Sequence, residues 1–441
     1  MEHVAGFPFL NLNFTKESKV DVTDRQELIS ATREGAFTDL LVLCHGWNND
    51  IEEARALYEE LLGNMRKAIV PGHPAAGRAT LVLGVFWHSK RFTDDALRPN
   101  AQAEGGVVAA DDLGPDEAQL AAGLDALADM VERRDDEALD RAKATLADLE
   151  GDPKARKAFV EALRTMLPPP TDGEDEHSER FFTPTPGDDF VASLAEPVSY
   201  WQEGGDGGLA AGSADGAGDY DGGTAGADSL WWSMKAGAAR LLNYATYYLM
   251  KERAGLVGTG LNHVLGEVRT AAPTLRIHLV GHSFGARAVT AAVAGPSRFR
   301  PASLALLQGA FSHNGFCADI EGKPGHFRSV MAEARVAGPI IATHTVNDRA
   351  VGIAYALASR LANQVTSFGG PEDKYGGIGR NGAMRMHDEA VMARLEDATH
   401  AYEGWKAGKI FNLKADRFIA DHGAVRGPQV AHAVLTAMTT G

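Results

Sequence analysis

Leu275-Arg276-Ile277-His278-Leu279-Val280-Gly281-His282-Ser283-Phe284-Gly285-Ala286-Arg287 reads as an apolar, partly alternating run, a turn bounded by glycines, and the start of a helix over Ala286 to Ala294. Strand, sharp turn and helix, in that order, are the context in which G-x-S-x-G carries meaning. Gly281 and Gly285 leave room for a tight backbone. The turn lifts the Ser283 hydroxyl clear of the sheet. N–H groups at the helix start then face any negative charge that develops beside it. The competing reading is a glycine turn with an inert serine, and the flanking strand and helix weigh against it.

The chain has 441 residues, enough for one large α/β domain with an insertion or for two domains. Two cysteines, Cys44 and Cys317, are too few for a disulfide framework. The opening Met1-Glu2-His3-Val4 has neither a basic region nor an apolar run of signal-peptide length. No stretch is apolar enough to span a bilayer. The expectation is therefore a soluble, cytoplasmic protein. A net charge of −16 argues against nucleic acid as a partner. The acidity is local: residues 101–230 hold 30 Asp plus Glu against 9 Lys plus Arg, and the remainder is net basic. That asymmetry marks an inserted segment.

Around the serine stretch the chain alternates strands and helices. Phe7 to Phe14 alternates as an early strand. Leu40 to Cys44 is wholly apolar, as a strand buried on both faces is. It runs into His45-Gly46-Trp47-Asn48-Asn49-Asp50, where Asn49 or Asp50 can cap a helix over Ile51 to Ala68. Thr80 to Trp87 is a further strand, completing the βαβ pattern of a parallel sheet. From His88 to Ser229 the pattern changes. Glu117 to Leu149 and Ala155 to Leu167 have helical spacing. Thr171 to Ser229 is low-complexity, with ten glycines between Gly204 and Gly226. Trp231, Trp232, Met234, Leu241, Leu242, Tyr244, Tyr248 and Leu249 form a bulky apolar set, to be read as core or as a pocket wall. Gly255 to Thr270 is the helix before the serine strand. Later strands are expected at Ser303 to Leu307, Ala337 to Thr343 and Lys409 to Leu413. Helices are expected at Val351 to Leu361 and Pro428 to Met438. Gly369 to Gly382 reads as a polar, glycine-rich loop.

Serine is a weak nucleophile without a base, and the base needs an orienting group. Ligands of open parallel sheets sit at the carboxyl ends of the strands. Asp348 follows one strand end and His422 follows the last, which gives the chain order Ser, Asp, His. His344, His387 and His400 are the competing bases. Asp319 is the fallback acid, and a turn or capping role is the alternative for Asp348. Oxyanion donors are expected from Phe284 N–H and from the loop after the first strong strand, with Trp47 N–H taken first and Asn48 second.

His45-Gly46-Trp47-Asn48-Asn49 after a strand, Gly281-His282-Ser283-Phe284-Gly285, Asn347-Asp348 and His422 before a final helix together resemble the α/β-hydrolase superfamily, over residues 37–90 and 255–440. The HG-aromatic-N-N turn is similar to bacterial members described only as esterase-, lipase- or peptidase-like. The resemblance implies an α/β-hydrolase fold. That means a mostly parallel central sheet with helices on both faces, here with a large helical and glycine-rich insertion. It implies a serine acyl-enzyme mechanism and no cofactor or metal. The expected organisation is 1–89 and 230–441 as the two parts of the core, with 90–229 as an acidic insertion. That insertion is a lid, a partner surface or a neutral addition. The expected activity is hydrolysis of a small-molecule or lipid-like ester by Ser283, Asp348 and His422, with Trp47 and Phe284 at the oxyanion. An amidase using the same residues and a silent binding protein of the same fold are the alternatives.

Overall fold

The computed structural model describes residues 1–47, 51–89, 115–131, 134–169, 178–183, 189–195, 233–361 and 372–440. The tract Gly204 to Gly226, the pair Trp231 and Trp232, and the capping candidates Asn49 and Asp50 lie outside them. The described strands are β1 (Glu2–Val4), β2 (Phe7–Asn13), β3 (Asp39–Cys44), β4 (Thr80–Phe86), β5 (Arg276–His282), β6 (Ser303–Leu307), β7 (Ile340–His344), β8 (Ala390–Arg394) and β9 (Ile410–Lys414). They form one sheet in the order β1-β2-β4-β3-β5-β6-β7-β9-β8. Only β1 and β2 are antiparallel; every other described pairing is parallel. The fold is thus α/β with a nine-stranded, mostly parallel sheet.

Helices cover both faces. They are α1 (Val22–Glu34), α2 (Ile51–Ala68), α3 (Glu117–Met130), α4 (Asp136–Ala144), α5 (Pro153–Met166), α6 (Ser178–Phe182), α7 (Phe190–Ser193), α8 (Met234–Ala271), α9 (Phe284–Ala294), α10 (Arg328–Ala332), α11 (Arg349–Leu361), α12 (Ile378–Asn381) and α13 (Pro428–Thr439). The strand pleat explains the layering, because successive side chains point to opposite faces. In β3, Leu40, Val42 and Cys44 join a core with α8 and α9, while Leu41 and Leu43 join a second core with α2 and α13. Each such fully buried leucine contributes roughly 1.5–3 kcal/mol. A polar face on any of these strands would leave one helical layer without a partner.

Three features depart from the sequence expectations. First, the helix expected from Gly255 is the second half of one 38-residue helix, α8. A glycine inside a helix ordinarily weakens it. Here Gly258 faces α9, where a Cβ would stand 2.5 Å from Ala291 Cβ and 2.6 Å from the Ala288 carbonyl oxygen. Close helix approach, not a chain break, is the reason for that glycine. Second, α1 lies in the polar sequence between Phe14 and Phe37, which carries no helix expectation above. Its start is capped by Asp21, whose carboxylate accepts from the Thr23 and Asp24 N–H groups. Third, the polar stretch between His387 and His400, helix-like by sequence, holds the strand β8, which as the sheet edge lacks the buried apolar pattern of its neighbours.

The described helices between residues 117 and 193 are not remote from the sheet. α3 and α7 lie on α8, and Leu124, Phe159, Phe181 and Phe190 share one apolar cluster with Leu279 and Phe284. Tyr244 meets Phe181 edge-to-face and Tyr248 meets Phe182 at a tilt, with centroids 5.7 and 5.1 Å apart. Of the bulky apolar set, Leu241, Leu242, Tyr244, Tyr248 and Leu249 are therefore core. Among the described residues no helix is long and apolar enough to cross a membrane.

Candidate active site

The carboxyl ends of β3, β5, β6, β7 and β9 bring the candidate residues together. Ser283 is the turn between β5 and α9. Its φ of 57° and ψ of −124° lie in the left-handed half of conformational space. A non-glycine residue there costs about 1–3 kcal/mol and persists only where its surroundings impose it. They do so here. Ser283 N–H donates to the Leu307 carbonyl at 3.0 Å, and its own carbonyl accepts from Ala286 N–H at 3.0 Å and Ala310 N–H at 3.1 Å. Gly285 permits the turn, since a Cβ there would overlap the Cys44 carbonyl and come 2.5 Å from the His45 oxygen.

Ser283 Oγ lies 2.8 Å from His422 Nε2, and His422 Nδ1 lies 2.8 Å from Asp348 Oδ2. Asp348 is fully buried, while the His422 side chain keeps 23% of its exposure. Ser283 itself is buried, at 4% exposure. Nδ1 must carry a proton to donate to the carboxylate, which leaves Nε2 bare to accept from the serine hydroxyl. That is the arrangement general-base activation of a hydroxyl requires. Burial disfavours the charged imidazolium, but the charge and hydrogen bond of Asp348 outweigh it, and the His422 pKa ends above the usual 6.5.

Asp348 is held on all sides. Its Oδ1 accepts from Val351 N–H at 3.0 Å, and its Oδ2 accepts from Gln308 Nε2 at 3.1 Å as well as from His422. The capping role first considered as an alternative is thus real and coexists with the histidine contact. Asn347 ties the loop carrying Asp348 to the loop carrying His422, donating to the Asp416 and Ile419 carbonyls at 3.1 and 3.0 Å. The competitors lie elsewhere: His387 and His400 are exposed, Asp319 is an exposed turn residue bonded to Gly322 N–H, and buried His344 closes β7.

The turn after β3 meets the serine. A Cβ on Gly46 would overlap the Ser283 side chain and stand 3.0 Å from its Oγ, so only glycine fits. His45 orients this turn. Trp87 N–H donates to His45 Nε2 at 3.2 Å, so Nδ1 carries the proton and donates to the Gly46 carbonyl at 2.8 Å. Burial lowers the His45 pKa to about 4 and keeps it neutral. A peptide plane carries its C=O and the next N–H on opposite edges. Holding the Gly46 carbonyl therefore also sets the direction of Trp47 N–H. Phe284 N–H is the first of α9 and has no carbonyl partner within the helix. The Trp47 and Phe284 rings meet at 6.1 Å. Asn48 lies outside the described residues.

Gln308 and His282 escaped the sequence reading. Gln308 directly follows β6, and the strand-end rule that found Asp348 and His422 would have found it too. His282 was read only as the variable position of the serine motif.

A second Ser–His–Asp chain shows that hydrogen bonding alone does not make such a site. At the opposite end of the sheet, Ser303 Oγ lies 2.8 Å from His278 Nδ1, and His278 Nε2 lies 2.9 Å from Asp39 Oδ1. All three are buried within regular strands, with no strained turn and no helix start beside the serine. This chain pins β3, β5 and β6 together. Burial would raise the Asp39 pKa. Hydrogen bonds from His278 and Thr38 and the charge of Arg276 overcome it and hold the carboxyl at about 2, against 3.8 ordinarily. A lowered carboxylate pKa stabilises the fold above its unfolded value and loses that contribution as pH falls through the folded one. Asp39 should thus contribute about 2 kcal/mol that disappears between roughly pH 4 and pH 2. Urea melts of wild type and Asp39→Asn across that range should converge at the acid end, and parallel curves would exclude the effect.

In comparison with known proteins, no family model, no curated protein and no solved structure matches the chain.

Proposed function

We propose that this protein is a serine hydrolase of the α/β-hydrolase fold that cleaves a carboxylic ester. One observation carries the reading: Ser283, strained at a strand-to-helix turn, donates to a histidine that donates in turn to a buried carboxylate. Ser283 Oγ attacks the ester carbonyl carbon while its proton passes to His422 Nε2. The former carbonyl oxygen becomes an oxyanion facing Phe284 N–H and Trp47 N–H. Collapse breaks the bond to the alkoxy group, which leaves as the alcohol with the proton from His422. Water, deprotonated by the same nitrogen, then releases the carboxylic acid and restores Ser283. Asp348 keeps His422 in the required tautomer and stabilises the imidazolium without taking its proton. Every group needed is a side chain or amide of this chain, so the reading calls for no cofactor.

The test is intact-mass analysis after exposure to a fluorophosphonate, followed by peptide mapping. The expected result is one adduct, on Ser283. Its formation rate should fall as pH drops and His422 gains its proton, with a midpoint above 6.5 because the folded pKa is raised. Absence of any adduct on Ser283 would sink the reading. Matched ester and anilide substrates then separate esterase from amidase.

A further inference from the structure

The residue before the nucleophile makes a contact that the serine reaction does not itself explain. His282 ends β5 with its ring buried. Its Nε2 lies 2.8 Å from the backbone carbonyl oxygen of His422, and the two rings stand 5.0 Å apart. A carbonyl oxygen only accepts, so Nε2 must carry the proton. The other nitrogen, Nδ1, is buried with no partner among the described residues. The opposite tautomer would set a lone pair against the carbonyl and bury an unsatisfied N–H, which costs about 1–3 kcal/mol.

We propose that His282 is a positioning residue: its Nε2–H anchors the backbone of His422, so that one dipeptide, His282-Ser283, sets the register of base and nucleophile. This rests on the hydrolase reading of Ser283 and His422. His422 lies on a loop rather than on a strand or helix. Its side chain is held by Ser283 and Asp348, but those bonds must loosen and re-form as the proton moves. The carbonyl anchor stays in place throughout. Asn347 secures the same loop further upstream, at Asp416 and Ile419. His282 is the anchor at His422 itself. It also carries no charge that would oppose an imidazolium beside it. Burial first, and the neighbouring His422 second, press its pKa down to about 3. A lysine or arginine could donate to the same carbonyl, but only by placing a fixed positive charge against the base.

The test compares fluorophosphonate labelling of Ser283 and ester kinetics in wild type, His282→Phe and His282→Gln. Phenylalanine keeps a ring and removes the donor; glutamine restores an N–H at similar reach. The expected result is cooperative melting in all three, with labelling and kcat of the Phe protein down by about a hundredfold, as a misplacement near 1 Å produces. KM should change little, because His282 touches no substrate. The Gln protein should recover at least about tenfold of that loss. A folded Phe protein within about twofold of wild type would overturn the role, as would a Gln protein no faster than Phe. If the Phe protein does not fold, the Gln protein and nitrogen-15 NMR of wild type still decide, and a proton on His282 Nδ1 would overturn the anchor. Wild type that labels normally while the variants fail these expectations removes only the positioning role. Wild type that never labels on Ser283 removes the hydrolase reading and this role with it.

Discussion

Ser283→Ala should lower kcat for ester hydrolysis on the order of 10⁶-fold while leaving a folded protein. Loss of the serine in a Ser–His–Asp enzyme removes the whole covalent route, and the remaining members cannot substitute for it. What survives comes from oxyanion donors and substrate binding alone. The fold should tolerate the change because the turn is imposed by backbone bonds. Leu307, Ala286 and Ala310 hold the main chain at position 283, and none of these contacts uses the hydroxyl. Gly46 would gain a little space. Circular dichroism melts beside initial rates separate the two effects. An alanine protein with wild-type turnover would move the chemistry to another residue, and one that fails to melt cooperatively would show that the hydroxyl is structural.

Asp348→Asn should cost about 10⁴ in kcat, by a different route. The carboxylate is fully buried and accepts from three donors: His422 Nδ1 and Gln308 Nε2 on one oxygen, Val351 N–H on the other. An amide offers one acceptor and one NH₂. If the NH₂ faces Val351, two donors confront each other at the start of α11. If it faces His422 and Gln308, the histidine must present a bare Nδ1, which moves its proton to Nε2. In that tautomer His422 cannot accept the serine proton. The expected signature is a large fall in kcat with modest change in KM, together with loss of the acid limb above pH 6.5 that the raised His422 pKa produces. Gln308→Leu, which removes only the second donor, should fall well short of that loss. Equal losses in both variants would show that Asp348 acts by holding the loop and not by orienting the imidazole.

The alternation of apolar strands and amphipathic helices made the α/β class readable, because strands buried on both faces have near-continuous apolar sequence. Leu40 to Cys44 and Thr80 to Trp87 emerged this way as β3 and β4, while the alternation of Phe7 to Phe14 marked β2. Elements without that signature were missed. α1 is capped by Asp21 in polar sequence, and β8 is an exposed edge. α8 was divided in two because the glycines in its second half look locally like a break. Gly258 instead packs against Ala288 and Ala291 of α9, a contact between positions 30 and 33 residues apart in the chain.

For the site, local sequence named Ser283, Asp348 and His422, because a strand-to-helix turn and polar residues after strand ends are both short-range patterns. It gave no sign of the second Ser–His–Asp chain that the fold builds. His278 and Ser303 sit 25 residues apart, and Asp39 is far from both in sequence. Only the sheet register, with Asp39 beside Arg276 and His278 beside Ser303, closes that chain. Likewise only tertiary structure sets Gln308 on Asp348, His45 on the Gly46 carbonyl and His282 on the His422 carbonyl. The division has a physical cause. Backbone strain, periodicity and capping are written in neighbouring residues, whereas the hydrogen bonds that orient a reacting group join residues that only strand pairing and helix packing bring within 3 Å.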